Sequence, residues 1–200
     1  MSPTKRSPEA TQALRSELIE VALRLVARDG PESLTMRSLA AEAGCAVGLP
    51  YKVFTDRTEL IAAVIAAEFA RLRAAFDEIV AAAGTRTVAA NLTRWAGLLL
   101  DSPAIVLAHE ADTDRDLMKA IEVAAGESGV VKAIESTVVA YLGEEKRIGR
   151  VDQRVDERAF GFLIAGAVHN LLASGDAYPR PSGAQLARML RSISLVLAPV

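Results

Sequence analysis

The chain has 200 residues, 51% hydrophobic and 24% charged, with a formal net charge of −2 at pH 7. That balance supplies a core for one large or two small domains and excludes an extended disordered polypeptide. A single cysteine, Cys45, excludes an internal disulfide and any cysteine-rich zinc module, and the longest apolar run, Leu60 to Ala67, is far short of the ~20 residues that span a bilayer.

Alanine, the best helix former, occurs 37 times, against five Phe, three Tyr and one Trp. An all-α fold is expected. Residues 1–10 read as a flexible arm: Pro3 and Pro8 flank Lys5 and Arg6, and no apolar stretch suggests a secretory signal. A first helix is expected over 11–29, where Leu14, Leu18, Val21, Ala22, Leu25 and Val26 recur at spacings of three and four, until Gly30-Pro31 stops it. Thr35 is placed to cap a short second helix that carries Leu39, Ala40 and Ala43, with Gly44 where a helix end favours a left-handed residue. Three or four residues later, a third short helix is expected from about Gly48. Thr55 or Asp56 is then placed to cap a long helix over 57–83, with Glu59 three residues after Asp56 in a capping-box position. Further helices are expected over 87–100, 103–109, 114–125, 127–143, 153–174 and 182–197, with a charged connection over 143–152. There is no internal repeat and no strand-like alternation of useful length.

The strongest local signal lies between Thr35 and Phe54: a short helix, a glycine-containing turn and another short helix. This is the layout of a helix-turn-helix, whose second helix enters the major groove of DNA. The run LTMRSLAAEAGCAVGLPYKVFTDRTELIAAV resembles the DNA-binding segment of the TetR family of bacterial transcriptional regulators, through Thr35, Ala40, Ala43, Gly44, Tyr51, Phe54, Asp56, Arg57, Glu59 and Leu60 in register. The resemblance covers about residues 11–70. It implies a domain over 11–56 that binds double-stranded operator DNA and a domain over 57–200 for ligand binding and dimerisation. The chain departs from the family where the recognition helix commonly opens with polar residues; here it reads Ala46, Val47, Gly48 and Leu49, followed by Pro50. Base readout is therefore expected to lean on apolar contacts to thymine methyls. The DNA-contact candidates are Thr35, Met36, Arg37, Val47, Gly48, Leu49, Tyr51 and Lys52, with Lys5 and Arg6 as a possible minor-groove arm. Against these stand plainer readings: a helix cap, a core aromatic, solvated charges.

Downstream, Phe69, Leu72, Phe76, Trp95, Leu98, Leu99, His109 and Met118 are the scarce large or polar-tipped side chains that could line an apolar effector pocket; ordinary core is the alternative for each. The last two helices carry stripes, Phe162, Leu163, Gly166, Ala167 and Asn170 on one and Leu186, Met189, Leu190, Ile193 and Leu197 on the other, suited to a homodimer through a four-helix bundle. A two-fold dimer would space two reading heads about 34–36 Å apart.

His109, Glu110, Asp112, Asp114 and Asp116 cluster, but match neither a zinc-hydrolase nor an EF-hand spacing, so no metal and no cofactor are expected. Use of His109 and Glu110 by a helical enzyme is the minor alternative to a regulator, and a constitutive DNA-binding dimer without a ligand is another. Cys45 reads as a small hydrophobe rather than a redox sensor. The expected protein is a cytoplasmic, ligand-responsive dimeric repressor, with no membrane partner. Residues 1–57 hold eight Lys/Arg against seven Asp/Glu, so DNA binding must reside in a small basic surface rather than in bulk charge.

Overall fold

The structure, a computed structural model, describes residues 7–110, 115–173 and 181–199. Among these the chain is all-α, with α1 (Pro8–Asp29), α2 (Met36–Glu42), α3 (Arg57–Ala81), α4 (Val88–Leu100), α5 (Pro103–Glu110), α6 (Arg115–Ser128), α7 (Val130–Arg147), α8 (Glu157–Ala173) and α9 (Gly183–Leu197). The chain divides into two compact units. One takes the residues up to Phe69 and Val106–Glu127; the other takes Ala70–Ile105 and the residues from Ser128 onward.

In the first unit α1 starts at Pro8, earlier than the periodicity suggests. Ser7 Oγ accepts the Ala10 N–H at 3.2 Å, and Pro8 loses nothing at a helical position whose N–H has no partner in any case. The expected arm is thus corrected over residues 8–10, and Lys5 and Arg6 lie outside the described residues. The buried face of α1 is Leu18, Val21, Ala22, Leu25 and Val26, as the three-four spacing requires. Gly30, at φ 84°, ends the helix, and its N–H returns to the Val26 carbonyl at 3.0 Å. Thr35 caps α2 in a reciprocal box: Ser38 N–H donates to Thr35 Oγ1 at 3.0 Å and Thr35 N–H to Ser38 Oγ at 2.9 Å. Leu34, Leu39 and Phe54 are fully buried, each contributing about 1.5–3 kcal/mol of transfer free energy.

In the second unit α7 packs along α8, and α4 packs against α9 and α8. Gly161 of α8 makes the close approach to α7 possible, since a Cβ there would fall well inside contact distance of Val139 Cγ2. Helix α7 continues to Arg147, where the sequence suggests a connection beginning at Gly143. A buried polar knot explains the extension. Tyr141 Oη donates to Glu145 Oε1 at 2.6 Å, one turn on, and Asn91 Nδ2 of α4 donates to Tyr141 Oη at 3.1 Å. Glu145 is fully buried; Gly84 N–H reaches its Oε1 at 3.3 Å, and Arg150 Nε lies 3.3 Å from its Oε2. Burial first, then the Glu145 carboxylate, push the Tyr141 hydroxyl well above its usual range, which keeps it protonated as the donor. Asn91 also donates to the Ala82 and Thr85 carbonyls, tying down the α3–α4 turn.

Two expected interface residues are corrected. Leu190 and Leu197 are 3% and 0% exposed within the single chain, so they seat α9 on its own unit rather than facing a partner. The helix has apolar residues on more than one side, and the sequence stripe does not say which side the chain covers itself. Leu186 and Ile193 are half-buried, whereas Phe162, Leu163, Gly166, Ala167, Asn170 and Met189 are exposed.

Gly161→Ala is expected to cost about 1–3 kcal/mol through overpacking against the stiff Val139 side chain. Thermal unfolding should show a fall of roughly 3–10 °C; an unchanged Tm would contradict the close α7–α8 approach.

Candidate nucleic-acid interface

The segment from α2 to α3 is built from short-range geometry. Gly44 takes the left-handed conformation at φ 63°. Its N–H donates to the Ala41 carbonyl at 3.2 Å and the Cys45 N–H to the Ala40 carbonyl at 2.9 Å, the paired bonds of a Schellman ending. Cys45 is half-buried in this turn.

The next element is not the short α-helix expected from about Gly48. Residues 47–49 form a turn, followed by a 3-10 turn over Pro50–Lys52. Pro50 has no N–H to give the Ala46 carbonyl, so that carbonyl takes the Leu49 N–H at 2.8 Å instead. The tighter pattern continues, with Lys52 N–H to Leu49 O at 3.0 Å and Val53 N–H to Pro50 O at 2.9 Å. The result turns Val47 and Tyr51 outward, at 49% and 57% exposure. Gly48 and Lys52 are exposed as well, and Leu49 is half-buried.

Arg15 of α1 fixes the far end of this segment. Its Nη1 donates to the Val53 carbonyl and to Glu59 Oε1, both at 2.9 Å, and its guanidinium stacks 4.5 Å above the centre of the buried Phe54 ring. Glu59 Oε2 accepts the Thr55 N–H at 2.7 Å, while Asp56 Oδ1 accepts the Glu59 N–H at 2.9 Å to start α3. The Thr55 N–H, followed by the Thr55 side chain and Arg15, holds the Glu59 carboxyl below the usual carboxylate range against the opposing cost of burial. Arg57 Nε donates to the Leu34 carbonyl at 2.8 Å, joining the start of α3 to the approach to α2. Arg28 reaches across from α1 to Glu42 Oε2 at 3.0 Å.

Of the expected DNA contacts, Thr35, Arg37, Val47, Gly48, Tyr51 and Lys52 are exposed on this head. Met36 is corrected: at 5% exposure it anchors α2 in the core and is withdrawn from any surface. Arg15 carries no expectation from the sequence, and Arg57 enters there only through the family resemblance, without its Leu34 partner. For Arg15 the signal was present, because it continues the buried row Leu18, Ala22, Leu25 by one turn, where a charged residue must find partners.

Residues 18–64 match the family model described as bacterial regulatory proteins, tetR family. Over these residues the chain is similar to the tetR family. It is 29% identical over 85 residues to the HTH-type transcriptional repressor KstR of Mycolicibacterium smegmatis, a match covering 42% of each chain. It is 38% identical over 52 residues to the HTH-type nicotine-responsive transcriptional repressor HdnoR of Paenarthrobacter nicotinovorans, covering 26% of this chain and 27% of that one. These matches span less than half the length of either relative. A tetR-family regulator structure from Mesorhizobium loti shares the fold, with 17% identity and a TM-score of 0.66 over 96% of this chain and 97% of the other.

The expected pocket residues fall in both units. Phe69 and Met118 belong to the first and are half-buried; Leu72, Phe76, Trp95 and Leu99 belong to the second and are buried, with Leu98 half-buried. His109 and Glu110 lie in α5, but their side chains, like Asp112 and Asp114, fall outside the described residues, and Asp116 is exposed on α6. Among the described residues, no three His, Cys, Asp or Glu are grouped to hold a metal.

Glu59→Gln removes the ionic partner of Arg15. Because the Glu59 carboxyl is held below its unfolded value of 4.5, its stabilisation is present above that value and is lost as pH falls through the folded one. The wild type should unfold about 2 °C above the variant near pH 7, with the gap closing as the Glu59 carboxyl becomes protonated in acid. A pH-independent gap would contradict the ionic account.

Proposed function

We propose that the protein is a ligand-responsive, dimeric transcriptional repressor that binds operator DNA in the cytoplasm. The observation that carries this reading is the segment similar to the tetR family, with Tyr51 and Lys52 exposed on a turn whose end Arg15 holds, and Arg37 exposed on α2, whose approach Arg57 ties to α3. Lys52 neutralises a backbone phosphate, Tyr51 donates its hydroxyl to another, and Arg37 adds charge from α2. The two relatives above are both named as repressors, which favours repression over activation.

A second copy of the chain covers the exposed apolar side chains of α8 and α9. Phe162 and Leu163 are 65% and 62% exposed, and Gly166 and Ala167 beside them permit close helix approach. The effector is a small apolar or amphipathic molecule taken up by the helical body, and HdnoR is named as nicotine-responsive. Trp95 supports this site, because its Nε1–H is buried without an acceptor among the described residues, leaving a donor for a ligand. Binding must favour one of two arrangements of the heads, by about 1–3 kcal/mol, to release DNA.

Lys52→Ala should weaken binding to every duplex and reduce the slope of log affinity against log salt by about 1. An unchanged slope in a fluorescence titration would remove Lys52 from the phosphate contacts. Phe162→Glu should convert a dimer at micromolar concentration into a monomer by sedimentation, with helical content retained. A monomeric wild type would overturn the dimer.

A further inference from the structure

We propose that Val47 is a specificity-determining residue that reads the C5-methyl group of a thymine, so that this head discriminates by an apolar contact rather than by a hydrogen bond. The inference rests on the DNA-binding reading above.

Between Ala46 and Pro50 no side chain carries a hydrogen-bond donor or acceptor: the residues are Ala46, Val47, Gly48, Leu49 and Pro50. Leu49 is half-buried and Pro50 buried; Ala46 and Val47 are exposed, and of these two Val47, at 49% exposure, carries the larger apolar side chain. The outward position follows from Pro50, which replaces an α-turn with the tighter Leu49 N–H to Ala46 O bond. Gly48 beside it has open space where a Cβ would stand and no positive φ, so nothing inside the fold requires glycine there. Its missing side chain leaves the backbone next to Val47 open to close approach.

The chemistry of the groove then selects the partner. Thymine alone offers an apolar group at its major-groove edge; adenine, guanine and cytosine present amino groups, carbonyl oxygens or ring nitrogens. Pressing Val47 against those atoms removes their water without replacing the hydrogen bonds, which costs free energy, whereas a methyl group gains from the same contact. Valine is stiff at χ1, so little rotamer freedom is lost on docking. Tyr51 and Lys52, at the end of the turn, carry the polar groups and hold the register through phosphates.

The test uses the full chain and a duplex that it enriches from a random-sequence pool. Each thymine of one half-site is replaced in turn by deoxyuridine, which removes only the methyl group. The wild type should lose roughly four-fold in affinity at one position, the size expected for one buried CH₂-sized group. Val47→Ala, at an exposed position and with Tm checked against the wild type, should bind more weakly and lose almost nothing further at that position. Insensitivity of the wild type to every replacement, a selected half-site without thymine, or an equal loss in Val47→Ala would each overturn the assignment while leaving DNA binding intact. Failure to enrich any duplex would overturn the DNA-binding reading itself, and this inference with it.

Discussion

The Arg15 guanidinium does three things from one place on α1. It closes the Val53 carbonyl, pairs with Glu59 and covers the Phe54 ring. Val53 and Phe54 end the exposed turn, and Glu59 caps the following helix through Thr55. A turn of a few residues cannot hold its own shape in water, because few hydrogen bonds offset the entropy of fixing its backbone. Here the end of the turn is fastened to two longer helices, so the placement of Tyr51 and Lys52 depends on partners far away in sequence, whereas the outward position of Val47 follows from the local bonds around Pro50. With Arg15 only partly exposed, at 28% of its side chain, the attraction is less screened than at an open surface.

The second unit meets a different constraint. Alanine-rich helices have thin sides, and three large residues, Trp95, Tyr141 and Phe76, are fully buried between them. Close approach at Gly161 and filling by these side chains are complementary solutions to one packing problem. The cost is a fully buried carboxylate on Glu145. Leaving it unpaired would be strongly destabilising, and it is met by a phenol, a backbone N–H and a nearby guanidinium.

What could be read from the sequence was what is local. Thr35 as a cap, Gly44 as a left-handed ending and the Asp56–Glu59 pair depend on residues within one turn, and all three stand in the structure. The family resemblance was likewise carried by such short-range spacings. Pro50 was recognised as limiting the third helix, but its full effect, replacing that helix with 3-10 geometry, depends on which donor the Ala46 carbonyl finds instead. The roles of Arg15 and Arg57 in holding the head could not be read there, because their partners are 38 to 44 and 23 residues away. Leu190 and Leu197 read as a partner surface because periodicity shows that a face is apolar without showing what covers it, and Met36 as a DNA contact because it opens α2, where free backbone N–H groups can hold a phosphate.

The near-neutral charge of residues 1–57 takes its meaning from this geometry. Several cations in that stretch serve the fold: Arg15, Arg28 and Arg57 all donate to groups of the chain itself. What faces outward is small, which makes its exact placement decisive. The central claim is therefore that Arg15 sets the shape of the exposed turn, and amide hydrogen exchange in Arg15→Met tests it most directly. The amides of residues 52–55 are expected to exchange at least ten-fold faster than in the wild type, with α7 and α8 unchanged and duplex affinity reduced. Unchanged protection at residues 52–55 would contradict the account.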